Sequence, residues 1–293
     1  MICFLLTVAM VARTEAETRE IRSGTTASAL GIGFSSAKES DEKMDLQKAD
    51  QPQSHAAFPA TISAASSPQG NVRVVRPNHR SANLLPVVDQ EDILLKHRVL
   101  ADQVLRALPS QCRDNLHQFF VTYEKDPKSR GLGGASTIIV TGTVPDNEFM
   151  ALIVHECGHV TDLGGMRGSL DGGTTAFVDG HTPMFGNDPS VPFYLLSWTD
   201  ALTTKRGTAA KDFVSGYAQS DPYEDFAESF AFFALHKHQF KTIARRSSVL
   251  QAKYDFLDRI VFADTPVIAE GKSTGKSIPW DVTKLPYEWH AKQ

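Results

Sequence analysis

The stretch Leu-Ile-Val-His-Glu-Cys-Gly-His, residues 152–159, constrains this chain more than any other. It carries two histidines four apart, His155 and His159, with Glu156 directly after the first. Residues four apart share a face on an α-helix, so both imidazoles can reach one ion. Glu156 then lies about 100° round the helix, beside the ion, where it can take a proton from water. A helix is expected here, with Asp146 as its N-cap, residues 147–163 as its body, and Gly164 and Gly165 as its stop. The competing reading is two hydrogen-bonded helix histidines that share a face by chance.

A catalytic zinc takes three protein ligands and keeps one position open. A third histidine six residues after His159 would fall at position 165, which is glycine, so that pattern fails. Asp162, on the next turn, is better placed to orient a ligand than to bind. Downstream, Asp-Pro-Tyr-Glu-Asp-Phe-Ala-Glu opens another expected helix, with Asp221 as N-cap and Pro222 in the first turn. Glu224 and Glu228 lie four apart on one face of it. Glu224 as ligand supplies charge, and Glu228 behind it can accept the free ring N–H of a bound histidine. The competing reading for Glu224 is a capping box with Asp221; for Glu228 it is a solvent-facing acid. Phe226, Ala227, Phe230, Phe232 and Phe233 make this helix apolar nearly all round, so a carboxylate there needs a partner. Two imidazoles and a carboxylate suit one Zn2+ per chain.

HECGHVTD followed by YAQSDPYEDFAESF resembles the gluzincin metallopeptidases, and within them the anthrax lethal factor-type catalytic domain. That family's pattern is H-E-x-G-H, then a Tyr seven residues before a Glu, then a second Glu four further on. Tyr217, Glu224 and Glu228 have those separations. The resemblance covers roughly residues 83–262. It implies that His155, His159 and Glu224 bind zinc, that Glu156 is the general base, and that the Tyr217 hydroxyl stabilises the oxyanion. It thereby implies a zinc-dependent endopeptidase acting on a polypeptide substrate. Asp225 departs from the family, which often has an aromatic there, but that position points away from the metal. The loops between the motifs have no counterpart in the family, so substrate specificity does not transfer. Two other classes are open: a zinc-bound binding or regulatory domain without turnover, and a zinc amidase. The presence of Glu156 and Tyr217 counts against the first, and the Glu224/Glu228 pair against the second.

The remaining sequence frames this centre. The formal net charge is -4 and no long basic stripe occurs, which argues against a nucleic-acid partner. Residues 2–12 are almost all apolar, too short to span a bilayer but suited to a signal-peptide core, and no second stretch is long enough for a transmembrane helix. The expected organisation is a signal peptide over 1–16, a low-complexity linker or pro-segment over 17–82, the catalytic domain over 83–264, and a C-terminal extension over 265–293 packed as an extended strap. The protein is therefore expected to be secreted or extracytoplasmic. There are three cysteines and no CxxC pair; Cys112 and Cys157 are read as two small buried thiols, with one bridge as the alternative.

The expected fold is α+β. A helix capped by Asp89 places Ile93, Leu94, Val99, Leu100, Val104 and Leu108 on its apolar side. Strands follow at 119–123 and 137–141. Residues 164–212 read as loop with one short helix in VPFYLLSWTDAL, and a last helix spans about 248–261. An extended substrate is expected to add to an edge strand at Thr137, Ile138 and Ile139, with His181 in the long loop lining the groove.

Overall fold

The computed structural model describes residues 83–272 and 278–290. The expected signal peptide and the whole of the expected linker lie outside the described residues. The architecture is α+β, and the described residues form helices and three small sheets. No described helix is long and apolar enough to cross a membrane.

Two buried helices carry the motifs. Helix α3 (Asp146–His159) has Asp146 and Glu148 in its first turn, where acidic side chains favour the positive end of the helix dipole. Asp146 is not its cap: Pro145 holds that position, and Asp146 pairs with Lys96 at 2.5 Å. Every residue from Phe149 to His159 is buried, as befits a helix that is apolar nearly all round. Past His159 the chain widens into a π-helical turn, Val160–Gly165, and ends at the expected glycines. Helix α5 (Pro222–Ala244) starts as its sequence predicts. Asp221 Oδ1 accepts the N–H groups of Tyr223 and Glu224, both at 2.9 Å, and Pro222 fills the first turn. The helix kinks at His236, where φ is -138° and ψ is 36°. A Cβ on Gly158 would stand 2.7 Å from the Cα of Ala227, so this glycine is what lets α3 and α5 touch.

The sheet beside α3 has the order β1-β3-β2, from β1 (Gln118–Thr122), β2 (Gly131–Gly133) and β3 (Thr137–Thr141). β1 runs parallel to β3, and β2 antiparallel. This corrects the expected edge. β3 is the central strand, paired on both sides, with Ile138 and Val140 in the core. Thr137, Ile138 and Ile139 therefore cannot take an added strand. The edge strand next to α3 is β2, three residues that lie between the two expected strands.

Elsewhere, helix α1 (Leu95–Ala107) starts six residues after Asp89, which pairs with Arg98 at 2.9 Å instead of capping. Its core stripe is His97, Ala101, Val104 and Leu105, while Leu94 and Val99 face outwards. A short helix α2 (Ser110–Asn115), not expected from the sequence, brings Cys112 to Cys157 of α3. The two form a disulfide with Cα atoms 5.3 Å apart, which corrects the reading of two free thiols. The loop-rich region contains the expected α4 (Val191–Ser197) and also a hairpin, β4 (Thr174–Asp179) and β5 (Thr182–Phe185). Its turn is marked in sequence by Asp179-Gly180, with Gly180 at φ 58°. Helix α6 (Ser248–Phe256) is capped by Ser247 and runs into a π turn, Leu257–Val261. In the tail, β6 (Ala269–Gly271) pairs with β7 (Tyr287–Trp289), and the Tyr287 hydroxyl donates to the Asn147 carbonyl of α3 at 2.7 Å.

Candidate metal centre

α3 presents His155 and His159 towards the first turn of α5, where Glu224 stands. Glu224 Oε2 lies 3.2 Å from His155 Nε2 and 3.6 Å from His159 Nε2. One donor atom from each of the three residues falls within 4.8 Å of the others, and all three residues are buried. That donor set, two imidazole nitrogens and a carboxylate oxygen meeting at one point, fits a divalent ion such as zinc.

The residues around this cluster hold it in place. His155 Nδ1 donates to Glu228 Oε1 at 3.0 Å, and Glu228 is fully buried. This bond fixes the tautomer that leaves Nε2 facing Glu224. Glu228 Oε2 in turn accepts the backbone N–H of Val282 at 3.1 Å. Burial opposes charge on His155, but its bonds to Glu224 and Glu228 outweigh that and raise its pKa well above the usual imidazole value. Burial likewise opposes charge on Glu224, yet the two imidazoles hold its pKa well below the usual carboxylate range.

Tyr217 sits in a 3₁₀ turn, Tyr217–Gln219, just before α5, and its hydroxyl donates to Glu224 Oε1 at 2.9 Å. Burial, then the nearby Glu224 charge, raise its pKa, so it remains a protonated donor. Glu156 is buried and stands outside the three-residue cluster, against β2. A Cβ on Gly131 would overlap its carboxylate, and one on Gly133 would lie 2.7 Å from Oε2 and 2.9 Å from His159 Cβ. The Gly-Leu-Gly sequence of β2 is thus what lets the strand run against the face of α3 that carries Glu156 and His159.

Other expected residues lie apart. Asp162 is fully buried and accepts the Tyr194 hydroxyl on both oxygens, at 2.5 and 2.6 Å. Burial pushes its pKa up to about 7 against the pull of its bonds to Tyr194 and Ser190. It stands behind His159 as a neighbour rather than in the cluster. His181 is exposed at the tip of the β4–β5 hairpin and is not among the clustered residues. Thr137 donates to Gln118 Oε1 at 3.1 Å, and Ile138 is in the core. Asp225 points into the protein, accepting Trp198 Nε1 at 2.9 Å and the ammonium of buried Lys253 at 2.6 Å. Val282 and Arg130, both in contact with the surroundings of the centre, carried no recognisable sequence signal, because one acts through its backbone and the other through a partner 151 residues away.

No protein-family model, curated protein or solved structure matches this chain. Any function must therefore be argued from the centre itself.

Proposed function

We propose that the chain is a zinc-dependent endopeptidase, similar in its centre to the lethal factor-type gluzincins. The observation that carries this reading is the meeting of His155, His159 and Glu224, with Glu156 alongside and Tyr217 on the ligand carboxylate. His155, His159 and Glu224 would hold the ion. When bound there, zinc lowers the pKa of water and polarises a carbonyl group.

The chain's own groups supply the rest. Glu156, beside the ligands, takes the proton of the attacking water and delivers it to the leaving amine. Tyr217, kept protonated, turns its hydroxyl from Glu224 to the oxyanion that develops on the scissile carbonyl. Glu228 holds His155 throughout. The polypeptide substrate lies along β2, the edge strand that adjoins Glu156 and His159. A buried disulfide between Cys112 and Cys157 supports an oxidising, extracytoplasmic setting.

Cleavage of a mixed peptide library by wild type and Glu156→Gln tests the reading. Loss of at least about 100-fold in turnover, with zinc retained, is expected for the variant. A variant that cleaves as wild type does would refute the assignment of Glu156.

A further inference from the structure

We propose that residues 279–283, in the C-terminal tail, are a positioning strap without which the metal centre is incomplete. The inference rests on the metal-centre reading above. Three separate parts of the centre are held by this one stretch. The N–H groups of Gly216 and Tyr217 donate to the carbonyls of Pro279 and Trp280, at 2.8 and 2.7 Å. They fix the backbone from which the Tyr217 hydroxyl reaches Glu224. Gly216 has no room for a Cβ, because the Trp280 ring lies against it. The Val282 N–H donates to Glu228 Oε2 at 3.1 Å, on the carboxylate that orients His155. Asp281 and Thr283 bind the Arg130 guanidinium, which also reaches Glu148 at 2.6 Å. Arg130 directly precedes β2, so this contact secures the start of the edge strand.

The strap is itself well anchored. Asp281 Oδ1 caps the 3₁₀ turn Val282–Lys284 by accepting the Thr283 N–H at 2.7 Å, and the β6–β7 pair closes the tail behind it. The centre therefore has a third layer: Val282 holds Glu228, Glu228 holds His155, and His155 faces Glu224. A direct partner of a metal ligand, as Glu228 is of His155, commonly changes affinity by 10–100-fold when lost, and Val282 acts through that partner.

Val282 offers a clean test in the full chain. It is the first residue of its turn, a position that tolerates proline, and Asp281 before it is already extended, with φ -146° and ψ 124°. Val282→Pro removes the donor, whereas Val282→Ala trims the side chain and keeps the N–H. Zinc dissociation constants are measured by competition with a chelating indicator. Val282→Pro is expected to bind at least about tenfold more weakly than wild type, and Val282→Ala to stay within about twofold. Equal affinity of Val282→Pro and wild type, or an equal loss in both variants, overturns the strap. A folded wild type that takes no zinc overturns the metal reading instead. If Val282→Pro does not fold, amide hydrogen exchange on wild type decides. Adding zinc should slow exchange at Val282 and Tyr217 more than at Lys272, which donates to Pro286 in the same tail. Equal change at all three overturns the proposal.

Discussion

Glu228 braces the candidate metal centre from behind His155. It is fully buried, with one oxygen on His155 Nδ1 and the other on the Val282 N–H. Burial raises its pKa, and only the His155 bond and its other donors hold the charge there. Replacing it leaves a histidine N–H buried without its acceptor, and the ring is then free to turn. Glu228→Ala should weaken zinc binding by about 10–100-fold, read by chelator competition, while leaving one ion per chain at saturation. Affinity equal to wild type would mean that His155 needs no orienting partner.

At the scale of elements, the contact of α3 with α5 sets the distance between the histidines and Glu224. Gly158 is the hinge of that contact. A methyl group there would meet Ala227 Cα at 2.7 Å and Ala227 Cβ at 3.2 Å, and backbone cannot give way as a flexible side chain can. Gly158→Ala should cost about 2 kcal/mol in stability by denaturant unfolding and weaken zinc binding as well. An unchanged midpoint would show that the helices have slack between them. This element-level detail also explains what the sequence could and could not disclose. The candidate ligands His155, His159 and Glu224, with Asp221 and Glu228, were legible because helical spacing and capping act over four residues. β2 was not, since Gly-Leu-Gly has no alternation and pairs only because β3 offers it an edge. β3 is β-branched at every position, which marks it as a strand, but nothing local in it tells a centre from an edge. The Cys112–Cys157 bridge was hidden for a related reason: it depends on α2 packing against α3, a contact across 45 residues of chain.

At the largest scale, the described residues are tied together behind the centre. Lys253 of α6, fully buried, pairs with Asp225, the neighbour of Glu224, and so fixes the rear of α5. Further along α5, His236 lies at the kink, stacked on Phe232 with ring centroids 5.3 Å apart and close to Gly271 of β6. Burial pushes its pKa down to about 4. Because the unfolded value is about 6.5, the unfolded chain takes up a proton first as the pH falls. The associated stability is intact above pH 6.5 and is lost progressively as the pH falls from about 6.5 to 4, up to about 3 kcal/mol. His236→Phe should remove that part of the acid sensitivity, seen as a smaller fall in Tm between pH 7 and pH 4.5 than in wild type. Parallel Tm curves for the two proteins would contradict the burial of a neutral imidazole there. The central claim, however, is the three-residue metal site, and metal content tests it most directly. Mass spectrometry on protein purified without added metal should find one zinc per wild-type chain and little in Glu224→Ala. A folded wild type with no zinc, or a Glu224→Ala variant that keeps it in full, would contradict the account.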